Sequence, residues 1–72
     1  MAQVQVLISN VREWREAVGF SQEQLARHCG VTRAAVSAWE KDTRPDLLHA
    51  IILAEVLGCD VSDLFYLEEG VS

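Results

Sequence analysis

Residues 20–39, FSQEQLARHCGVTRAAVSAW, constrain the fold more than any other stretch, because two sets of helix start signals flank one glycine. Ser21 is a good N-cap: its hydroxyl can accept the amide of Gln24, and the Gln24 side chain can reach back to complete a capping box. A helix therefore begins at Gln22. Leu25, Ala26 and Cys29 fall on one face of it, and Gly30 supplies the left-handed residue at which the chain stops without a side-chain clash. Val31 is the inward anchor of the turn. Thr32 can cap a second helix with Ala35, Val36 and Trp39 inward, which leaves Arg33, Ala34, Ser37 and Ala38 on the outward face.

Helices of two turns do not stand alone in water, so other elements must pack behind them. A glycine turn and a second helix with short outward side chains suit a groove about 12 Å wide, the width of the major groove of B-DNA. With 72 residues, the chain has room for one domain, near the lower size limit for an unaided core. Half of its residues are hydrophobic, enough to pack that core and to exclude a disordered chain. No apolar run is long enough for a membrane span, and the N-terminus lacks the charged start and small-residue cleavage site of a signal peptide. A cytoplasmic protein without membrane contact is expected. Cys29 and Cys59, both at apolar-periodic positions, read as small core residues of a reducing compartment rather than a disulfide. Adjacent helical residues such as His28 and Cys29 diverge by about 100°, and neither they nor His49 sit in a metal-ligand spacing, so no metal or other cofactor is expected. No nucleophile–base set and no glycine-rich phosphate loop occurs, which argues against an enzyme.

The net charge of −5 by itself argues against a nucleic-acid partner. Its distribution alters that reading. Residues 1–45 carry six basic and five acidic side chains, a net +1, whereas residues 46–72 carry six acidic and no basic ones, a net −6. At a Debye length of about 8 Å, an acidic end is largely screened from a contact surface elsewhere. Alternatively, the acid serves only solubility.

Residues 2–8, AQVQVLI, alternate apolar and polar as a half-buried strand does, yet they suit a frayed arm or an extension of the next helix equally. A strand here would need an edge, and a second copy of the chain is one candidate. Residues 1–9 thus form an arm or strand, residues 10–66 the main domain, and residues 67–72 an acidic tail that frays. Ser9 or Asn10 starts the first helix, with Glu13 as the box partner of Asn10; Val11, Trp14 and Val18 face inward, and Gly19 ends it. Arg15 borders that inner face and needs a counter-charge, for which Glu40 is the choice. After the KDTRP turn, Asp46 caps a fourth helix with Leu47, Ala50, Ile51, Ala54 and Leu57 as its core face. Leu48, Ile52 and Val56 form a second apolar stripe. It reads as a subunit interface, or as a scatter of exposed apolar residues. Gly58 closes this helix, Asp60 caps a short fifth one with Asp63 as partner, and Cys59, Val61, Leu64 and Phe65 seal the core.

From Asn10 to Phe65 the chain resembles the lambda-repressor-like, Cro-type helix-turn-helix regulators. The resemblance rests on the two-helix signature, the Arg15 and Glu40 positions, the Pro-x-Leu start of the fourth helix and the Asp-Leu-Phe ending. It implies an all-α, compact five-helix domain, with the helix from Thr32 reading double-stranded DNA. By the same resemblance, Gln22 anchors a phosphate at a positive helix end, and Thr32 and Arg33 meet backbone or base edge. Ala34, Ser37 and Ala38 face bases, while Lys41, Thr43 and Arg44 grip phosphates after the helix. Two alanines offer only methyl contacts, so Arg33 is left as the strong base reader, suited to guanine. Asp42 stands where the family often has glycine, with its charge toward the same grip. The leading expectation is a repressor that binds a palindromic operator as a homodimer, with no small-molecule ligand. The alternative is an interaction module of the same fold, such as an adaptor, an antitoxin-like subunit or an anti-repressor.

Overall fold

The structure, a computed structural model, describes residues 4–70 except position 42. The expectation for Asp42 lies outside the described residues. Five helices and two strands follow in the order β1 (Val4–Ser9), α1 (Val11–Val18), α2 (Gln22–Cys29), α3 (Arg33–Trp39), α4 (Leu47–Leu57), α5 (Val61–Leu64) and β2 (Phe65–Gly70). Each helix contributes one fully buried side chain to a common centre: Val11, Leu25, Val36, Leu53 and Leu64. Cys29, Trp39, Ala26, Ala54 and Leu57 complete that core. Both cysteines are free thiols, and burial pushes the pKa of each up from its ordinary 9.0, so they stay uncharged packing groups.

Local signals explain most helix boundaries. The Ser21–Gln24 capping box is formed in both directions, at 3.0 Å to Ser21 Oγ and 2.8 Å to Gln24 Oε1. Gly30 ends α2 at φ +71°, a backbone angle that glycine adopts without penalty, and the Val31 amide donates to the Ala26 carbonyl at 2.9 Å to close the turn. The start of α1 differs from expectation. Asn10 precedes the helix but its side chain makes no cap bond. Instead, Ser9 Oγ lies 3.5 Å from the Val11 amide and donates to the Trp39 carbonyl at 2.6 Å, so it fastens α1 to the end of α3. Val18, expected inward, is 44% exposed at the last position of α1.

The expected frayed tail is replaced by a strand. β1 and β2 pair antiparallel over six residue pairs, from Val4 with Gly70 to Ser9 with Phe65. This pairing joins segments more than fifty residues apart, so no short-range pattern announces it. The core decides it: the Asn10 amide donates to the Leu64 carbonyl at 2.7 Å, which places the two strands side by side as they leave the helices. Six residues of strand span about 20 Å. That ribbon accounts for the 43 × 21 × 21 Å shape and for a radius of gyration of 12.7 Å, against about 11 Å for a compact chain of this length.

Helix α4 is turned relative to expectation. Its buried arc is Ala50, Leu53, Ala54 and Leu57, whereas Leu47 and Ile51, assigned to the core from sequence, are 74% and 44% exposed. The supposed interface stripe is divided: Leu48 is exposed, but Ile52 and Val56 are half-buried against the chain's own core. A helix that is apolar all round carries no periodic signal for which side faces inward. Its neighbours α2 and α5 settle the matter.

Candidate nucleic-acid interface

The turn at Gly30 sets α3 against α2, and Val36 and Trp39 of α3 are buried in the core. Thr32 Oγ1 accepts the Ala35 amide at 3.2 Å, so the outward face of α3 begins at a fixed point. On that face Arg33 and Ala34 are exposed, and Ser37 and Ala38 are half-exposed. Small side chains here keep the helix backbone close to whatever it meets, with Arg33 as the long exception.

Behind the face lies a polar cluster. Arg15, with its side chain only 11% exposed, donates from Nε to Glu40 Oε2 at 2.5 Å and from Nη1 to the Phe20 carbonyl at 2.7 Å. Gln22 donates from Nε2 to the second carboxylate oxygen of Glu40 at 3.1 Å. One carboxylate therefore ties α1, the start of α2 and the end of α3 together. The hydrogen bond that Arg15 donates to Glu40 pushes the Arg15 pKa up, and this outweighs the opposing effect of burial, so the guanidinium stays charged.

Arg12, Arg15, Gln22, Ser37, Glu40 and Lys41 line one open cleft of about 280 Å³ beside α3. Of its three cations Arg15 pairs with Glu40 and Arg12 with Glu16, so Lys41 supplies the remaining positive charge of the cleft. Gln22 and Lys41, named from sequence, are brought together here. Arg12 was not named, although it stands three residues before Arg15 and so shares its helix face; it also pairs with Glu16 at 3.4 Å. Arg44 lies elsewhere, on an apolar groove with Leu7, Pro45 and Phe65. Thr43 is exposed, and its amide donates to the Ala38 carbonyl at 3.1 Å, which holds the loop against the end of α3.

Two short helices at a glycine turn, the second presenting a face of small residues beside a polar cleft that holds Lys41, define a helix-turn-helix DNA-binding domain. Comparison with known proteins agrees: the helix-turn-helix family model matches residues 11–64, and the chain belongs to this lambda-repressor-like, Cro-type family of regulators. It is 42% identical over 62 residues to the uncharacterized HTH-type transcriptional regulator YgzD of Bacillus subtilis, covering 85% of this chain and 94% of that one. An uncharacterized HTH-type transcriptional regulator of Methanothermobacter thermautotrophicus is 41% identical over 61 residues, covering 82% of this chain and 88% of the relative. Among solved structures, a hypothetical transcription factor, NHTF, from Neisseria aligns with a TM-score of 0.66 at 42% identity. That likeness covers 72% of this chain but only 60% of the Neisseria chain. The family is one of DNA-binding regulators, not enzymes. Among the described residues, no helix is long and apolar enough to cross a membrane.

Proposed function

We propose that this protein is a sequence-specific transcriptional repressor that binds a palindromic operator as a homodimer in the cytoplasm. The observation that carries the proposal is the exposed α3 face of Arg33 and Ala34, flanked by the cleft with Gln22 and Lys41. Arg33 reads a base, Ala34, Ser37 and Ala38 allow close approach and methyl contact, and Thr32 positions the helix start. Gln22, Lys41 and Thr43 meet phosphates, while Arg44, on the apolar groove with Leu7 and Phe65, stands apart from them. The Gln22 amide group is held by Glu40, so it is already oriented when a phosphate arrives. In a twofold dimer, two α3 helices about 34 Å apart meet successive major grooves on one side of the duplex.

Selection of bound duplexes from a random library, followed by anisotropy titration across salt, tests this. The expected outcome is an inverted-repeat site whose affinity falls steeply with salt. Absent or salt-insensitive binding refutes it. That result would favour the interaction-module reading, which the net charge of −5 and the methyl-rich α3 face also support.

A further inference from the structure

The contacts proposed above come from α2, α3 and the loop after α3, and none comes from α1. Yet α1 sends a long, exposed cation to the same cleft. Arg12 and Arg15 stand three residues apart and so share a face of α1, and both line the cleft with Gln22, Ser37, Glu40 and Lys41. Their situations differ. Arg15 is buried against Glu40, whose two oxygens accept from Arg15 and Gln22, so neither charge of that pair is free for a ligand. The Arg12 side chain is 66% exposed. Among the described residues its one partner is Glu16, met by Nε at 3.4 Å, which leaves both terminal nitrogens of the guanidinium without one. That pair is weak on three counts: both side chains are more than half exposed, the distance is long for a charged hydrogen bond, and the cation stands N-terminal to the anion, against the helix dipole.

We infer that Arg12 is a further DNA contact: it leaves Glu16 when a duplex binds and, together with Lys41, grips a phosphate of the strand that borders α3. This inference rests on the DNA-binding reading and adds α1 to it. Width decides what the cleft can meet. A helix with its side chains is about 10–12 Å across and fills a major groove about 12 Å wide, so residues beside α3 face the phosphate walls and not the base edges. Ser37 belongs both to the outward face of α3 and to the lining of the cleft, so the cleft opens on a side where such a wall runs. Charge decides what the cleft holds. Glu13, next to Arg12, lines a different recess with Trp14 and Ala17, and Glu40 is neutralised by Arg15, so Arg12 and Lys41 are the charges left to meet an anion. A guanidinium that gives up one long Nε contact can turn two N–H groups to a phosphate, in a shorter and two-pronged bond. Until then Glu16 holds the side chain in place and masks its charge.

Anisotropy titrations of the selected duplex across salt test the contact, with a thermal melt of each variant to confirm its fold. One phosphate contact adds about 0.9 to the slope of log affinity against log salt, which amounts to about eightfold between 1 M and 0.1 M salt. Arg12→Gln is expected to lower the slope by about that much per subunit and to weaken operator and unrelated duplexes alike, and Arg12→Lys to restore it. Glu16→Gln, which frees Arg12, is expected to tighten binding by about twofold, the strength of an exposed pair one turn apart, and this gain shrinks when Arg12→Gln is present. Single neutral methylphosphonates placed along the duplex locate the contact: at one position per half-site the substitution weakens the parent and spares Arg12→Gln. An Arg12→Gln slope equal to that of the parent, or a Glu16→Gln gain of the same size with and without Arg12, overturns the inference while the DNA-binding reading stands. A parent that binds no duplex refutes that reading, and this contact with it.

Discussion

Replacing Glu40 with alanine is the most informative perturbation, because one carboxylate serves three helices. In Glu40→Ala, Arg15 loses the acceptor for its Nε and Nη2 groups and keeps only the Phe20 carbonyl, while Gln22 loses the acceptor for Nε2. The Arg15 and Glu40 side chains are 11% and 5% exposed, so water cannot replace the lost partner without opening the packing. Removing one member of a buried pair costs about 3–5 kcal/mol. For a domain of this size the melting temperature falls roughly 4–8 °C per kcal/mol, so a drop of about 12 °C or more is expected. The paired variant Arg15→Met/Glu40→Leu discriminates the cause: filling both positions with apolar groups leaves stability within about 1 kcal/mol of the parent. Thermal and urea melts at one fixed protein concentration measure both, since association shifts apparent stability. A Glu40→Ala variant within about 1 kcal/mol of the parent would refute the view that a desolvated charge, rather than mere proximity, holds α1 to α3.

Other perturbations address the cap of α4 and the proposed contact face. Asp46 Oδ1 accepts from the His49 amide and lies 2.6 Å from His49 Nδ1, which together hold the Asp46 pKa below its ordinary 3.8. A depressed carboxylate stabilises the fold above its unfolded pKa and loses that contribution as pH falls through the folded value. The stability gap between parent and Asp46→Ala therefore holds above the ordinary carboxylate range and narrows in urea melts as pH falls through it; a gap independent of pH would contradict this. Arg33→Ala should weaken operator binding by about 1–3 kcal/mol and relax preference at one base pair of each half-site, visible in the selected-sequence logo. Lys41→Ala should weaken all sequences alike and lower the salt-dependence slope by about one, read from titrations at several salt concentrations.

The helices were legible because their signals are local. Ser21 with Gln24, Gly30, Thr32, Asp46 and Gly58 act within one or two turns, and each stands at the helix end where its chemistry is needed. The same holds for the face of α3, since Val36 and Trp39 must point inward and thereby orient Arg33 and Ala34 outward. The Arg15–Glu40 pair was legible for a different reason: a guanidinium next to an inner face requires a counter-charge, and Glu40 stands just past Trp39 at the end of α3.

Sequence alone thus marked the ends of α2, α3 and α4, and which side of the helix-turn-helix faces outward. Tertiary structure decided which side of α4 is buried, that the chain's two ends pair as a ribbon, and that Arg12 joins Gln22 and Lys41 around one cleft while Arg44 does not. The division follows the range of the forces. Caps and turns are settled by neighbours a few bonds away, whereas an all-apolar helix and a strand without an adjacent partner take their orientation from surfaces that exist only once the core has closed.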